Sequence, residues 1–175
     1  MKKLAAMLFP LFYLVAAQAQ VLPWGGFPVD AAVTLRVLGQ PQPVAVTPLP
    51  PNVPPKQARG YRYTDLAGTY TLMRLEKPRD KRYAKDADHA FYSDVIDLAM
   101  HQTRGTLLAE AILLHGPYTA ACARYHVPGK GTHYLGIVLL HQVSYEFQYT
   151  PSRALSKDQD AQLWAQFQQS IVRLK

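Results

Sequence analysis

Between Thr106 and Tyr149 the apolar positions fall into four runs, Thr106–His115, Tyr118–Val127, Thr132–Leu140 and Val143–Tyr149. Gly116-Pro117, Pro128-Gly-Lys-Gly131 and a tight turn near His141-Gln142 separate them. Apolar runs of strand length punctuated by turn residues predict an antiparallel meander. In the last run Val143, Tyr145, Phe147 and Tyr149 alternate with Ser144, Glu146 and Gln148, so one face is covered and the other is wet. The stretch Leu135 to Leu140 is almost wholly apolar, which predicts an interior strand covered on both faces.

Upstream, Val33–Leu38 is β-rich and stops at Gly39, and Gly60 to Lys77 reads as two strands broken near Ala67-Gly68. Between them, residues 41–55 hold seven prolines. Proline fixes φ and removes a backbone donor, so this segment is expected to be a stiff, extended surface loop outside the central sheet. Two stretches change to helical spacing. Phe91, Tyr92, Val95, Ile96 and Ala99 share one face of a helix expected from about Ala87 to Arg104, with Asp86 or Asp88 as its cap and Gly105 as the left-handed residue closing it. Ser156 and Gln159 form a capping box ahead of Leu163, Trp164, Phe167 and Ile171, an apolar stripe suited to covering the tyrosine face of the last strand. The order lacks repeated βαβ units. It predicts an α+β fold: a mostly antiparallel sheet of about six to seven strands packed by two main helices, an α/β/α sandwich.

The first residues change the picture of where the chain works. Lys2 and Lys3 precede an apolar run from Leu4 to Ala17, and Ala17-Gln18-Ala19 supplies small residues before a cleavage point. This is the pattern of a secretory signal peptide, with cleavage expected after Ala19. The run contains Pro10 and is shorter than the roughly 20 residues that a membrane span requires. A signal peptide at 1–19 leaves 20–175 as a single globular domain, a periplasmic location and no transmembrane segment in the mature protein. The sole cysteine, Cys122, cannot make an intrachain disulfide, and its alanine neighbours suit a buried packing position. Without Lys2 and Lys3 the chain carries 17 basic and 12 acidic residues. That balance favours weak attraction to anionic envelope components. Nucleic acid is excluded by the compartment and by the lack of any aromatic-basic or zinc-finger motif.

Three sets of residues could carry chemistry. If the strands flanking Pro128–Gly131 pair about a four-residue turn, His126 and His133 stand opposite each other on one face, weak candidates for a metal pair. Cys122 would lie about 13 Å along the strand, too far to join them on one zinc ion. A solvated cross-strand histidine pair is the plainer reading, and no cofactor or resident metal is expected. A nucleophilic Cys122 would need a base and an electropositive, exposed setting, which its alanine neighbours argue against. The stretch Arg74 to Lys85 offers Lys77, Arg79, Lys81, Arg82 and Lys85 as contacts for an anionic partner, against the alternative of a merely solvated loop. Asp94 and Asp97 read as solvent-facing helix positions. No phosphate-cradling loop, H-E-x-x-H or G-x-S-x-G motif is present.

Several landmarks in order resemble the PsbP, Mog1 and DcrB group of small secreted α/β/α domains. They are Leu35-Arg-Val-Leu-Gly-Gln-Pro41, Arg104-Gly-Thr-Leu-Leu-Ala-Glu110, His115-Gly-Pro-Tyr118, the strand holding Tyr145, and a closing helix through Phe167-Gln-Gln-Ser-Ile-Val-Arg-Leu174. The resemblance implies an accessory, binding or assembly role with no shared catalytic residues. The expectation is a non-catalytic periplasmic protein acting on an envelope component or protein partner. A periplasmic inhibitor or immunity protein, and a metal- or thiol-dependent enzyme, are the alternatives.

Overall fold

The four apolar runs pair in chain order, as their turns require. The computed structural model describes residues 24–47, 49, 53–76 and 88–174; the expected signal peptide, part of the proline-rich segment and the basic residues Lys77 to Lys85 lie outside them. The meander consists of β6 (Thr106–His115), β7 (Tyr118–Val127), β8 (Gly131–Leu140) and β9 (Val143–Pro151). Upstream come β3 (Gln42–Val44), β4 (Ala58–Thr64) and β5 (Gly68–Glu76), and the seven form one antiparallel sheet in the order β3-β4-β5-β9-β8-β7-β6. The proline-rich segment therefore contributes a short strand after all, but at the edge, the place in a sheet where proline is tolerated.

A second, three-stranded sheet joins β1 (Trp24–Pro28), β2 (Val33–Leu38) and β10 (Ile171–Leu174), with β2 in the middle. Two of its strands differ from the sequence expectation. Strand β1 carries Gly25, Gly26 and Pro28, which hide its β character, yet Trp24 packs edge-on against Tyr70, Tyr149 and Phe167, and Phe27 against Tyr61. The closing helix was expected to run through Ile171 to Leu174. Instead α2 (Lys157–Gln168) stops early, the Ser170 amide turns back to the Phe167 carbonyl, and Ile171 pairs with Leu35. The apolar spacing at Leu163, Phe167 and Ile171 fits a helix, but the partner strand β2 captures Ile171.

The seven-stranded sheet is covered on both faces. Helix α1 (Asp88–Thr103) packs Phe91, Tyr92 and Ile96 on Ala121, Tyr125 and Ile137. The other face takes α2 and the small sheet over Tyr70, Cys122, Tyr145 and Phe147. Helix α1 closes with the Gly105 amide bonded to the Met100 carbonyl, and the left-handed residue is Arg104, at φ 53, in place of the expected Gly105. Glycine is required at 105 for space: a Cβ there would meet Thr103 Oγ1 at 2.9 Å and the Tyr125 ring at 3.0 Å.

Two carboxylates fasten the layers. Asp30 Oδ1 accepts from the amides of Ala32 and Val33, shaping the turn between β1 and β2. Its Oδ2 accepts from Arg74 Nε and Tyr145 Oη, both at 2.7 Å, on strands β5 and β9 of the large sheet. Asp160 on α2 accepts from Arg124 Nη1 at 2.8 Å on β7 and from the Tyr134 hydroxyl on β8. Burial raises the Asp30 carboxyl, but the bonds from Arg74, Tyr145 and the two amides outweigh it and hold the pKa below the ordinary 3.8.

Two outcomes are expected. Replacing Arg104 by glycine relieves a left-handed backbone at φ 53 and should raise stability by about 0.5–1 kcal/mol, seen as a higher thermal midpoint; a lower midpoint would contradict the cap geometry. Asp30→Asn should lower stability by about 2 kcal/mol at pH 7. Because the folded pKa is depressed, the carboxylate's contribution is complete above the unfolded value and fades as pH falls through the folded one. Urea midpoints of the two proteins should therefore converge on acidification below about pH 4.

Candidate functional site

Strands β7 and β8 were expected to place His126 opposite His133. The register is different by one residue. Val127 pairs with Gly131, so the loop is Pro128-Gly129-Lys130, three residues and not four, closed by a bond from the Lys130 amide to the Val127 carbonyl. Pro128 presets the first corner position and Gly129, at φ 73, fills the second, which demands a positive φ. Dropping one loop residue moves every pair by one, and in a strand that exchanges the faces. Tyr125 now faces His133, and His126 faces Thr132. The two imidazoles lie on opposite faces of the sheet, so they do not form a metal pair. Among the described residues no three His, Cys, Asp or Glu side chains converge on a point.

Each histidine then has its own setting. His126 is exposed, on the α2 face of β7 near the hairpin end. His133 is 6% exposed on the α1 face, beside the Tyr125 ring at 5.4 Å. Its Nδ1 lies 3.2 Å from Gln148 Nε2 and 3.3 Å from Thr150 Oγ1, and Gln148 Nε2 also donates to Tyr125 Oη at 2.6 Å. With Gln148 donating, Nδ1 accepts and the proton sits on Nε2, which is buried without a hydrogen-bond partner. Burial first, then the charges of Lys130 and His126, hold the imidazole below its ordinary 6.5. The cluster knits β7, β8 and β9 together.

Cys122 is buried against the small-sheet core, and burial pushes its thiol up to about 12. It lacks the exposed, electropositive setting that an activated thiol needs. Of the basic stretch, Arg74 lies within the described residues and is fully engaged by Asp30 and Glu76. Lys77, Arg79, Lys81, Arg82 and Lys85 lie outside the described residues.

The feature that sequence reasoning missed is the place of β6 at the outer edge of the sheet. This strand ends the large sheet, so among the described residues its outer row of amides and carbonyls has no strand beside it. Along it Leu107, Leu108, Ile112 and Leu114 are all exposed, Leu114 at 78%. Glu110 is its only charged side chain and makes no hydrogen bond or ion pair among the described residues. The register places Glu110, Ile112 and Leu114 opposite Ala123, Ala121 and Thr119, and hence on the α1 face, while Ala111 and Leu113 line the opposite face. A bulge at Leu108 interrupts the pairing near the strand's start. The signal was present in the sequence: a ten-residue strand with no polar face is either interior or partnered. Nothing in the residues said that this one lies at the edge.

No protein-family model matches the chain, and no curated protein matches it in sequence. Solved structures do. The solution structure of cyanobacterial PsbP (CyanoP) from Synechocystis sp. PCC 6803 superposes with a TM-score of 0.56 over 89% of this chain and 95% of that one, at 10% identity. The fold is PsbP-like. The Ran-binding protein Mog1p of Saccharomyces cerevisiae matches over 81% of this chain and 84% of its own at a TM-score of 0.39 and 14% identity. At such identities the likeness concerns architecture, and the side chains that decorate the PsbP-like fold here must be read on their own. The α+β class and the antiparallel sheet expected from the sequence are those of this fold.

The settings of His133 and Cys122 lead to measurable consequences. The unfolded imidazole takes a proton before the folded one, so the stability due to a neutral His133 is complete above about pH 6.5 and is lost as pH falls through the depressed folded value. His133→Gln should flatten the decline of the urea midpoint between about pH 7 and pH 5, and an unchanged slope would count against the buried neutral imidazole. Cys122 should resist aromatic disulfide reagents in the native state and react stoichiometrically in denaturant; rapid native labelling would refute its burial.

Proposed function

We infer that this protein is a non-catalytic periplasmic binding or accessory protein that engages a protein partner of the cell envelope. The observation that carries the reading is the outer edge of β6. An edge strand that is long and apolar is a liability in solution, and proteins ordinarily blunt such edges with proline, charged side chains, bulges, shortness or a covering element; β6 carries only the bulge at Leu108 and the single charge of Glu110. The opposite edge of the same sheet is blunted in this way, with only three residues in β3 and a proline among them. The contrast supports a role for β6 in pairing. The enclosed state of Cys122 and His133 and the engagement of Arg74, Arg124, Asp30 and Asp160 support a binding role over a reactive one.

Export rests on the amino-terminal pattern: Lys2 and Lys3, the apolar run and Ala17-Gln18-Ala19. No helix among the described residues is long and apolar enough to cross a membrane. The inhibitor or immunity reading is a special case of the same surface, in which the partner is an enzyme whose site the edge strand or its neighbourhood covers.

A photo-crosslinking amino acid at Leu114 or Ile112, introduced in cells, should yield one discrete adduct in the envelope fraction, whereas the same group at Arg153 should not. Protein released by osmotic shock should begin at Gln20. Retention in the cytoplasm with Met1 intact, or equal crosslinking from all positions, would overturn the reading.

A further inference from the structure

The geometry of β6 goes further, on the assumption that the binding role just described is correct. We propose that the outer edge of β6 takes an added antiparallel strand from a partner polypeptide whose sequence runs apolar, x, apolar, x, basic, with the apolar and basic residues on the α1 side. The first would stand opposite Leu114, the third opposite Ile112 and the fifth, a lysine or arginine, opposite Glu110.

Backbone ladder bonds give such an addition its affinity, and alternate side chains give it its register. Ala109 to His115 is a regular stretch, free of the bulge at Leu108, so it offers a continuous row of outward backbone groups. On its α1 face the only polar position is Glu110, whose exposed carboxylate has no cation beside it among the described residues. Directly opposite residues on paired strands share a face and lie close enough for opposite charges to attract and like charges to repel. The carboxylate therefore selects a basic residue at one position and fixes the register of the incoming strand.

A second copy of this chain meets the edge less well. A two-fold axis normal to the sheet pairs residues that share a face. Registers centred on Glu110, Ala111 and Ile112 would set Glu110 opposite Glu110, Ile112 and Leu114 of the second copy. None of these supplies a cation. Charge complementarity thus points to a different polypeptide with an extended apolar-basic segment.

The test uses the secreted protein and two labelled heptapeptides, Val-Thr-Val-Thr-Lys-Thr-Val and its Glu counterpart, followed by fluorescence anisotropy and hydrogen exchange. The lysine peptide should bind roughly tenfold more tightly than the glutamate peptide and protect the amides of β6. Glu110→Lys should reverse that preference with the thermal midpoint unchanged. Equal binding of both peptides, no binding of either, or protection elsewhere than β6 would overturn the proposal. So would a concentration-dependent dimer in sedimentation that Ile112→Lys disperses, since the occupant would then be a second copy. The two readings fail separately: a discrete envelope adduct at Leu114 with no charge preference among peptides sinks strand addition alone, whereas absence of any adduct sinks the partner-binding role itself.

Discussion

Strands β7 and β8 are buried on both faces, and a strand buried on both faces tolerates one register. On β7, Ala121, Ala123 and Tyr125 belong to the core under α1, while Ala120 and Cys122 belong to the core under the small sheet. A slip of one residue would send Tyr125 toward the aromatic layer and Cys122 toward α1, in opposition to every neighbour on β8. The three-residue turn from Pro128 to Lys130 sets the register locally, and the packing on the two sides enforces it globally. Gly136 shows how tight the result is. A Cβ there would sit 2.2 Å from the Phe147 ring, its cross-strand partner, so the aromatic ring occupies the space of the missing side chain.

Given that register, most of the chemically versatile side chains serve the assembly of the layers. Asp30 bridges the β1–β2 turn to β5 and β9, and Asp160 bridges α2 to β7 and β8. Arg74 lies over the Tyr145 ring at 6.0 Å and Arg124 over the Trp164 ring at 5.7 Å, so each guanidinium adds an aromatic contact to its ion pair. The tyrosine hydroxyls of 134 and 145 reach those carboxylates from beneath, and both are pushed up by burial and then by the carboxylates they bond. The two fastenings share one plan: a carboxylate on the covering layer, an arginine and a tyrosine on the sheet.

Periodic elements were legible in the sequence because their signals are local. The alternation in β9, the stripe on α1 and the capping box at Ser156 and Gln159 each depend on residues within a turn or two of one another. What the sequence concealed depends on distant partners or on a count of one. Strand β1 is made by Trp24 meeting Tyr70 and Phe167 far along the chain, and β10 by Ile171 meeting Leu35. The histidine pairing turned on whether Gly131 belongs to the loop or to the strand. Both Arg104 and Gly105 stand at the helix end, and residue type favours glycine for the left-handed position. The space beside Tyr125 assigns Gly105 to close packing and leaves the backbone strain to Arg104. The carboxylate fastenings span 44 and 36 residues and have no local pattern to betray them.

Sheet order, the least local property of all, decides how β6 is to be understood. The same ten residues in the middle of the sheet would be an ordinary buried strand; at its end they leave leucines facing outward and, among the described residues, an unpaired ladder. Glu110 can be regarded as a guard against indiscriminate pairing, since a charge in an apolar edge discourages association. Guarding and recognition are not opposed, because both follow from the same Coulombic preference. A lone carboxylate penalises a partner strand that leaves it against a hydrocarbon or another anion and favours one that brings a cation. An edge meant only to be silent would be better served by the proline and the shortness found at β3. A long, apolar edge marked by a single charge favours some incoming strands over others by the same preference.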